Sequence, residues 1–348
     1  MSLLGMSSYP CVPGHELAGV AVAVGSKVTR VKVGDHVGVG CMVDSCGKCG
    51  ACKRGEEQMG ISQTGTYNAV PAHDKAAVFP PKSRTLGGYS DKMVIHENFA
   101  IVIPKSYPLE YAGPVMCAGV TLFDPLRRYG ATNGSKVAVV GIGGLGVMGI
   151  KLAKAMGCIV TAISRSPGKE TFAKECGASF FINSGHLKDL ASAASSFDLV
   201  LNTIPSEHDY TIYSTLTKRK GGKHIILGLN SALVAGMVAN GILCGSRVKG
   251  SGIGGIEATQ AVIDLCAKHD IRPEIKLINV DQINETYTIL DSNNDAGVRH
   301  VIDLSTLNAT AAERCNTVKP PTLSHGLGLT AGGVVGAIVN LIFLGRWW

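Results

Sequence analysis

The pattern of hydrophobic and polar residues changes after Pro114. Before it, short alternating runs separated by glycine turns, such as residues 19–24 and 31–33, predict a small β-rich unit. After it, short apolar runs alternate with segments of helical period, which predicts a parallel, doubly wound α/β sheet. The strands predicted for this sheet cover residues 136–140, 159–163, 180–182, 199–202, 223–227 and 248–251, and predicted helices cover 145–156, 169–176 and 257–269.

A glycine run follows the first of these strands and opens the next predicted helix. Gly141 permits a tight turn, Gly143 lets the backbone approach a pyrophosphate, and Gly146 lets the helix pack closely on the strand. The free N–H groups of the helix N-terminus then favour bound phosphate. The run therefore predicts a dinucleotide site whose contacts are Gly141, Gly143, Gly144, Leu145 and Gly146.

The end of the second strand indicates which dinucleotide binds. An NAD site usually places an acidic residue there to hold the ribose hydroxyls, but this chain has Ser164, Arg165 and Ser166, with Lys169 nearby. A carboxylate would repel a 2′-phosphate, whereas hydroxyl and cationic groups bind one. We therefore predict NADP(H).

Composition changes this picture mainly through the cysteines. A chain with 45% hydrophobic and 17% charged residues is globular, and a scattered net charge of +7 does not favour nucleic-acid binding. No secretory signal is visible, which predicts a cytoplasmic protein whose clustered cysteines bind metal rather than form disulfides. Cys46, Cys49 and Cys52 form such a cluster, and zinc is favoured over an iron–sulfur centre.

The C-terminal tail is unlike the rest of the chain. Residues 326–344 contain no charged side chain, are rich in glycine, and precede Arg346-Trp347-Trp348. This length and these flanks fit a membrane-spanning helix, predicted over residues 326–345. A tail that packs on the protein, or one without a selected role, is the alternative.

Several further motifs resemble the zinc-containing medium-chain alcohol dehydrogenases, in particular the cinnamyl-alcohol-dehydrogenase-like branch. The resemblance covers roughly residues 10–305. Its matches are Pro13-Gly-His-Glu16, Val37-Gly-Val-Gly-Cys41, Asp44-Ser-Cys46, Gly65-Thr-Tyr-Asn68, Leu86-Gly-Gly-Tyr-Ser90, Cys117-Ala-Gly-Val-Thr121, the glycine run, Gly250-Ser251 with Ile253-Gly-Gly255, and Val301-Ile-Asp303.

The resemblance implies a domain plan. It places a GroES-like catalytic domain at residues 1–113, N-terminally incomplete, and a Rossmann NADP-binding domain at 114–255. Residues 256–305 return to the catalytic domain. Beyond the resemblance, the polar, proline-ended composition predicts a linker over 306–325, before the predicted transmembrane tail at 326–345. Family members are often homodimers, which we also expect here.

The resemblance also implies roles for individual residues. His15 and Cys117 are similar to catalytic zinc ligands, and Glu16 to their neighbouring carboxylate or a transient ligand. Cys46, Cys49 and Cys52 are similar to structural-zinc ligands. The resemblance makes Thr121, Ser164, Ser166 and Lys169 similar to cofactor contacts. The full set of cofactor contacts predicted beyond the glycine run is Thr121, Ser164, Arg165, Ser166, Lys169, Ser251 and Ile253.

Two departures from the family make both zinc sites incomplete. The family's first catalytic cysteine lies upstream of the Gly-His-Glu motif, where this chain offers Cys11, too close to match it. The fourth structural cysteine would fall at Gly60. We therefore expect two of three catalytic protein ligands, three of four structural ligands, and an exposed sheet edge where an N-terminal strand is missing.

Three functions remain open at this point. The first is a zinc-dependent oxidoreductase that transfers a hydride between NADP(H) and a small alcohol or aldehyde. The second is a catalytically impaired NADP(H)-binding relic tethered to a membrane by the tail. The third is a reductase of the same fold that works without zinc.

Overall fold

The computed structural model describes residues 8–71, 83–228, 247–292, 298–307 and 339–345. Its strands are β1 Leu17–Ala21, β2 His36–Val39, β3 Met42–Asp44, β4 Thr64–Gly65, β5 Ile101–Val102, β6 Lys136–Val140, β7 Ile159–Ser164, β8 Phe180–Asn183, β9 Leu199–Asn202, β10 Lys223–Ile226, β11 Val248–Gly250, β12 Ile275–Asn279, β13 Arg299–Asp303 and β14 Val339–Gly345. Its helices are α1 Gly50–Lys53, α2 Leu109–Pro114, α3 Val120–Arg128, α4 Gly144–Ala155, α5 Glu170–Glu175, α6 Leu187–Ser192, α7 Tyr210–Thr215, α8 Ile256–His269 and α9 Ile283–Ser292.

One sheet joins the two ends of the described chain, in the order β12-β13-β14-β1-β2-β5. Strands β12 and β13 are parallel, and the other neighbours in this sheet are antiparallel. Leu17 and Val37 share a buried core with Ile278 and Ile302 from the C-terminal part. Residues beyond 270 therefore complete the β-rich unit that the N-terminal residues begin.

Strand β14 corrects the prediction of a transmembrane tail. Val339–Gly345 lies between β1 and β13 and is antiparallel to both, with Gly19 opposite Leu341 and Ile302 opposite Phe343. Hydrogen bonds to both neighbours satisfy this backbone within the sheet, which is incompatible with a helix over 326–345. The same strand covers the edge of β1 that we expected to be exposed. Residues 326–338 lie outside the described residues.

The structure contains no helix, within the described ranges, that is long and apolar enough to cross a membrane.

The second sheet is parallel throughout, in the order β11-β10-β9-β6-β7-β8. This is the order of a Rossmann sheet, in which successive strands are added to one side of β6 and then, from β9 onward, to its other side. The predicted strands and helices of this part all form, with bounds shifted by one or two residues. The predicted fold class, a β-rich GroES-like unit with a doubly wound Rossmann sheet, is confirmed.

The strand predicted at residues 31–33 does not form. The Asp35 carboxylate accepts a hydrogen bond from the Lys32 N–H at 2.8 Å, and the Gly34 N–H donates to the Ala21 carbonyl at 2.8 Å. Gly34 also has a positive φ of 89°. These contacts close a turn, in which Val31 is buried while Val33 is exposed.

The loop after the three clustered cysteines is fixed to the start of α8. Glu57 accepts a hydrogen bond from the Ile256 N–H at 3.0 Å, which satisfies a free donor at the helix N-terminus. Arg128 on α3 forms ion pairs with Glu56 at 3.3 Å and with Asp124 at 2.9 Å. The cysteine cluster is therefore tied to the helices that carry the rest of the site.

Candidate active site

The glycine run forms the connection between β6 and α4. Gly141 has φ +89°, a conformation that favours glycine. A Cβ on Gly146 would lie 1.9 Å from the Gly141 carbonyl oxygen, so no side chain fits there. Thr203 at the end of the neighbouring strand β9 donates to the Val140 carbonyl at 2.9 Å. The loop and the first turn of α4 thus lie at the point where the strand order reverses, where a dinucleotide binds in this fold.

The residues predicted to distinguish NADP(H) lie at the carboxyl end of β7, beside this loop. Ser164 is the last residue of β7, and its hydroxyl accepts a hydrogen bond from the Ser166 N–H at 3.2 Å. Lys169 donates through Nζ to the Ile142 carbonyl at 2.9 Å, so its charge lies directly against the glycine loop. The Arg165 side chain is exposed. Lys169 therefore borders the loop, and Arg165 directly follows the neighbouring strand.

A polar network lies at the strand-order reversal and was not predicted from the sequence. Asn202 on β9 is fully buried and contacts His208 Nε2 at 2.9 Å and His224 Nε2 at 3.2 Å. Ser214 Oγ contacts His224 Nδ1 at 2.8 Å. Burial lowers the pKa of His224 to about 3, so this ring is neutral at physiological pH. The network fixes the end of β9 beside the glycine loop.

His15 and Cys117 meet although they are 102 residues apart in sequence. His15 Nε2 lies 3.1 Å from Cys117 Sγ, and Glu16 Oε1 lies 3.9 Å from His15 Nε2. His15 and Glu16 are buried, with 6% and 5% of their surface exposed. Glu16 Oε2 has no hydrogen-bond partner among the described residues, an unfavourable state for a buried carboxylate unless a cation is bound. The three side chains predicted for the catalytic site are therefore together.

Cys41 is a fourth group at this cluster. The side chains of His15, Cys41 and Cys117 have their ligand atoms within 4.8 Å of one another. The pKa of the Cys117 thiol is raised well above its usual value by a hydrogen bond with the Cys41 thiol and by burial. Sequence reasoning missed Cys41 because its position depends on strand register. Leu17 pairs with Val39, so extending that antiparallel register by two residues places His15 beside Cys41.

Two partly buried tyrosines, Tyr67 and Tyr89, belong to the β-rich part of the site. The Tyr67 ring centroid lies 6.3 Å from that of His15, and Tyr89 Oη lies 2.9 Å from Tyr287 Oη. Burial is the main cause that raises the pKa of both Tyr67 and Tyr89. These phenols therefore stay protonated and can donate hydrogen bonds near the cluster.

The remaining predicted cofactor contacts lie between the two sheets. Cys117 is in a π-helical turn, Val115–Gly119, which continues into α3, where Thr121 is buried. Ser251 follows β11 and donates its N–H to the Ile226 carbonyl at 3.1 Å. Ile253 lines the same small cavity as Cys41. The loop after β11 therefore connects the end of the Rossmann sheet with the His15–Cys117 cluster.

The predicted structural-zinc ligands also form a cluster. Cys52 Sγ lies 3.5 Å from Cys49 Sγ and 3.9 Å from Cys46 Sγ. The pKa of Cys46 is lowered to about 6, first by a hydrogen bond from the Ser62 hydroxyl and then by the backbone N–H groups of Lys48 and Cys49. Three thiols at these separations fit a soft tetrahedral cation such as zinc.

Gly60 lies against this cysteine cluster, and we expect cysteine at this position to complete it. A Cβ at Gly60 would lie 3.6 Å from Cys49 Sγ and 3.2 Å from the Glu57 carbonyl oxygen, a tight contact that a shift of a few tenths of an ångström relieves. The backbone conformation, with φ −82° and ψ 145°, suits any residue. Gly60→Cys should therefore tighten zinc binding at this cluster at least about tenfold, or ~1.4 kcal/mol. Competition with a chromophoric chelator measures the affinity. Gly60→Ser is the control, and equal affinities for the two variants would contradict the prediction.

Comparisons with known proteins agree with this geometry. The family described as alcohol dehydrogenase GroES-like domain matches residues 2–105, and the zinc-binding dehydrogenase family matches residues 144–268. The chain is 44% identical to NADP-dependent alcohol dehydrogenase C 1 of Mycolicibacterium smegmatis, over 88% of this chain and 85% of that protein. It is also 44% identical to the aldehyde reductase YahK of Escherichia coli, over 86% and 84%.

A solved structure is similar as well. A cinnamyl alcohol dehydrogenase from Sorghum bicolor superposes with a TM-score of 0.76 at 36% identity, over 86% of this chain and 84% of that one. These matches confirm the predicted family resemblance and the prediction of an oxidoreductase enzyme. They agree with the predicted cofactors, since one matching family is zinc-binding and one relative is named NADP-dependent.

Proposed function

This chain belongs to the zinc-binding alcohol dehydrogenase family, and we propose that it transfers a hydride reversibly between NADP(H) and a primary alcohol or aldehyde. In the reductive direction the aldehyde carbon gains a hydride and its oxygen gains a proton, while NADPH becomes NADP⁺. The observation that carries the proposal is the meeting of His15, Cys117 and the buried Glu16 carboxylate, next to a loop that connects to the Rossmann sheet.

The residues at the cluster fit zinc. Imidazole and thiolate are ligands that zinc prefers, and the unpartnered Glu16 oxygen supplies a nearby negative charge. We assign His15 and Cys117 as ligands and Glu16 as the neighbouring carboxylate or a transient ligand. When bound, zinc supplies a Lewis acid for the substrate oxygen, and the nicotinamide donates or accepts the hydride.

The cofactor would be held by the glycine loop and its surroundings. The backbone N–H groups at the start of α4, from Gly143 onward, are assigned to the pyrophosphate. Arg165, Lys169 and the serines at 164 and 166 are assigned to the 2′-phosphate. Thr121, Ser251 and Ile253, between the two sheets, are assigned to the nicotinamide half, where they would orient it toward the cluster.

The active enzyme is preferred to both alternatives. A cofactor-binding relic would not require His15, Glu16 and Cys117 to be gathered in one buried place, and the tail that would tether it contains strand β14. A zinc-independent reductase leaves the unpartnered Glu16 oxygen without a role. The homodimer and the cytoplasmic location remain predictions.

Cofactor preference tests the proposal. We expect a higher kcat/KM with NADPH than with NADH in aldehyde reduction, since residues 164–169, at the end of β7 and directly after it, include no acidic side chain. Arg165→Ala should lower kcat/KM for NADPH by about tenfold or more, because a charge-assisted contact contributes ~1.5–3 kcal/mol, and should leave that for NADH nearly unchanged.

Lys136→Ala is the matched control for this test. It removes the same charge at the opposite, amino end of β6, away from the glycine loop. Initial rates with both cofactors measure the effect. A wild-type preference for NADH, or equal losses for Arg165→Ala with the two cofactors, would contradict the assignment.

A further inference from the structure

We propose that Cys41 is a protein ligand of the catalytic zinc, together with His15 and Cys117. The proposal rests on the proposed function, because it concerns the metal site assigned there to His15 and Cys117. It adds a residue that sequence reasoning did not assign.

The first argument is the geometry of the three donor atoms. All lie within 4.8 Å of one another, and His15 Nε2 is 3.1 Å from Cys117 Sγ. In a tetrahedral zinc site, with Zn–S of about 2.3 Å and Zn–N of about 2.0 Å, ligand atoms lie about 3.3–3.8 Å apart. Small side-chain adjustments therefore bring all three to one ion. Three protein ligands also leave the fourth position open, as catalytic zinc requires.

The second argument is that the backbone holds Cys41 in this place. A Cβ on Gly40 would lie 2.9 Å from the Met116 carbonyl oxygen, so glycine there lets the end of β2 approach the π-helical turn that carries Cys117. Thr66 fixes the same segment, because its hydroxyl donates to the Gly40 carbonyl and its N–H donates to the Cys41 carbonyl. The Cys41 thiol is therefore presented to Cys117 by a constrained backbone.

The third argument is the buried charge beside the cluster. Glu16 is 5% exposed, and its Oε2 has no hydrogen-bond partner in the described part of the chain. Its Oε1 lies 3.9 Å from His15 Nε2. A carboxylate in this position needs a cation close by, and two thiols and an imidazole are donors that bind zinc.

Cys11 is the competing source of a second thiolate beside that of Cys117, and the geometry favours Cys41 over it. Cys11 lies in the described part of the chain, yet the donor atoms gathered with His15 and Cys117 include that of Cys41 and not that of Cys11. A substitution of Cys11 therefore offers a matched control, since it removes a thiol outside the proposed ligand set.

The test measures zinc bound to the full-length, zinc-loaded chain after removal of excess metal. Cys41→Ser, Cys117→Ser and His15→Ala should each lose about one zinc per chain relative to wild type, whereas Cys11→Ser should keep it. Mass spectrometry for zinc and protein concentration gives the ratio. NADPH titration of each variant checks that the Rossmann sheet is intact.

A second variant separates ligand loss from misfolding. Cys41→Asp keeps a donor group, so it should retain cobalt(II) in place of zinc. It should lose the part of the thiolate-to-cobalt charge-transfer absorbance that Cys41 contributes, while Cys117 keeps its own part, and Cys11→Asp should keep the full absorbance. If His15→Ala and Cys117→Ser lose zinc while Cys41→Ser keeps it and Cys41→Asp keeps the full absorbance, Cys41 is not a ligand and the proposed function stands. If none of the variants changes zinc content, the catalytic zinc assignment itself fails.

Discussion

Gly146→Ala is expected to abolish tight NADPH binding. The new Cβ would lie 1.9 Å from the Gly141 carbonyl oxygen and 2.9 Å from the Gly141 carbonyl carbon. Both contacts are with backbone, which cannot rotate away as a long side chain could. The start of α4 must therefore move from the glycine loop, and the N–H groups assigned to the pyrophosphate move with it.

The size of this effect follows from the overlap. Extra atoms in a packed region cost ~1–3 kcal/mol in folding stability, and misplaced phosphate donors add a loss of binding. We expect NADPH affinity to fall at least about a hundredfold, or ~2.7 kcal/mol. Fluorescence titration with NADPH and thermal unfolding measure the two effects.

Gly168→Ala is the control for this prediction. It makes the same substitution in the same domain, at a position where an added Cβ meets nothing within 4 Å. Its NADPH affinity and thermal stability should remain close to wild type. Wild-type NADPH affinity in Gly146→Ala would show that the glycine run does not form the cofactor site.

The Rossmann part of the fold could be predicted because its signals are local. Short apolar runs, helical periods and the glycine run each occur within a few residues, and the observed strands β6 and β9 have the predicted bounds.

The turn at Gly34 could not be predicted as easily. A valine-lysine-valine run alternates as a strand does, but the Asp35 side chain and a positive φ at Gly34 close the chain there.

The β-rich sheet depends on contacts between distant segments, and here the sequence indicated less. Strand β14 was predicted as part of a membrane helix because an uncharged segment of that length has the same composition in either setting. Its pairing with both β13 and β1 joins residues that are 39 to 45 positions apart in the first case and more than three hundred apart in the second. Hydropathy carries no information about such pairing.

The candidate site also contains residues that a local motif identifies and one residue that only the folded chain brings into place. His15, Glu16 and Cys117 were identified by motif, and the structure brings them together. Cys41 stands within a motif match as well, but nothing local distinguishes it from a buried structural cysteine. The position of Cys41 beside His15 and Cys117 follows from the pairing of Leu17 with Val39 and from the close approach of Gly40 to Met116.

Removal of zinc should abolish turnover while NADPH binding remains. The Lewis acid contributes several kcal/mol to stabilising charge on the substrate oxygen, so its loss should lower kcat/KM at least about a thousandfold, or ~4 kcal/mol. The donor atoms of the metal cluster belong to His15, Cys41 and Cys117, whereas Lys169 is held against the glycine loop through the Ile142 carbonyl. The loop should therefore bind NADPH without the metal.

The most direct measurement is therefore aldehyde-dependent oxidation of NADPH by the full-length chain, before chelation, after chelation, and after zinc is restored. The account predicts turnover in the zinc-loaded protein, its loss in the metal-free protein, and its return with zinc. Equal turnover in the metal-free protein would contradict it and indicate a zinc-independent reductase. An absence of turnover at full zinc occupancy, across aromatic and aliphatic aldehydes, would contradict it and favour the cofactor-binding relic.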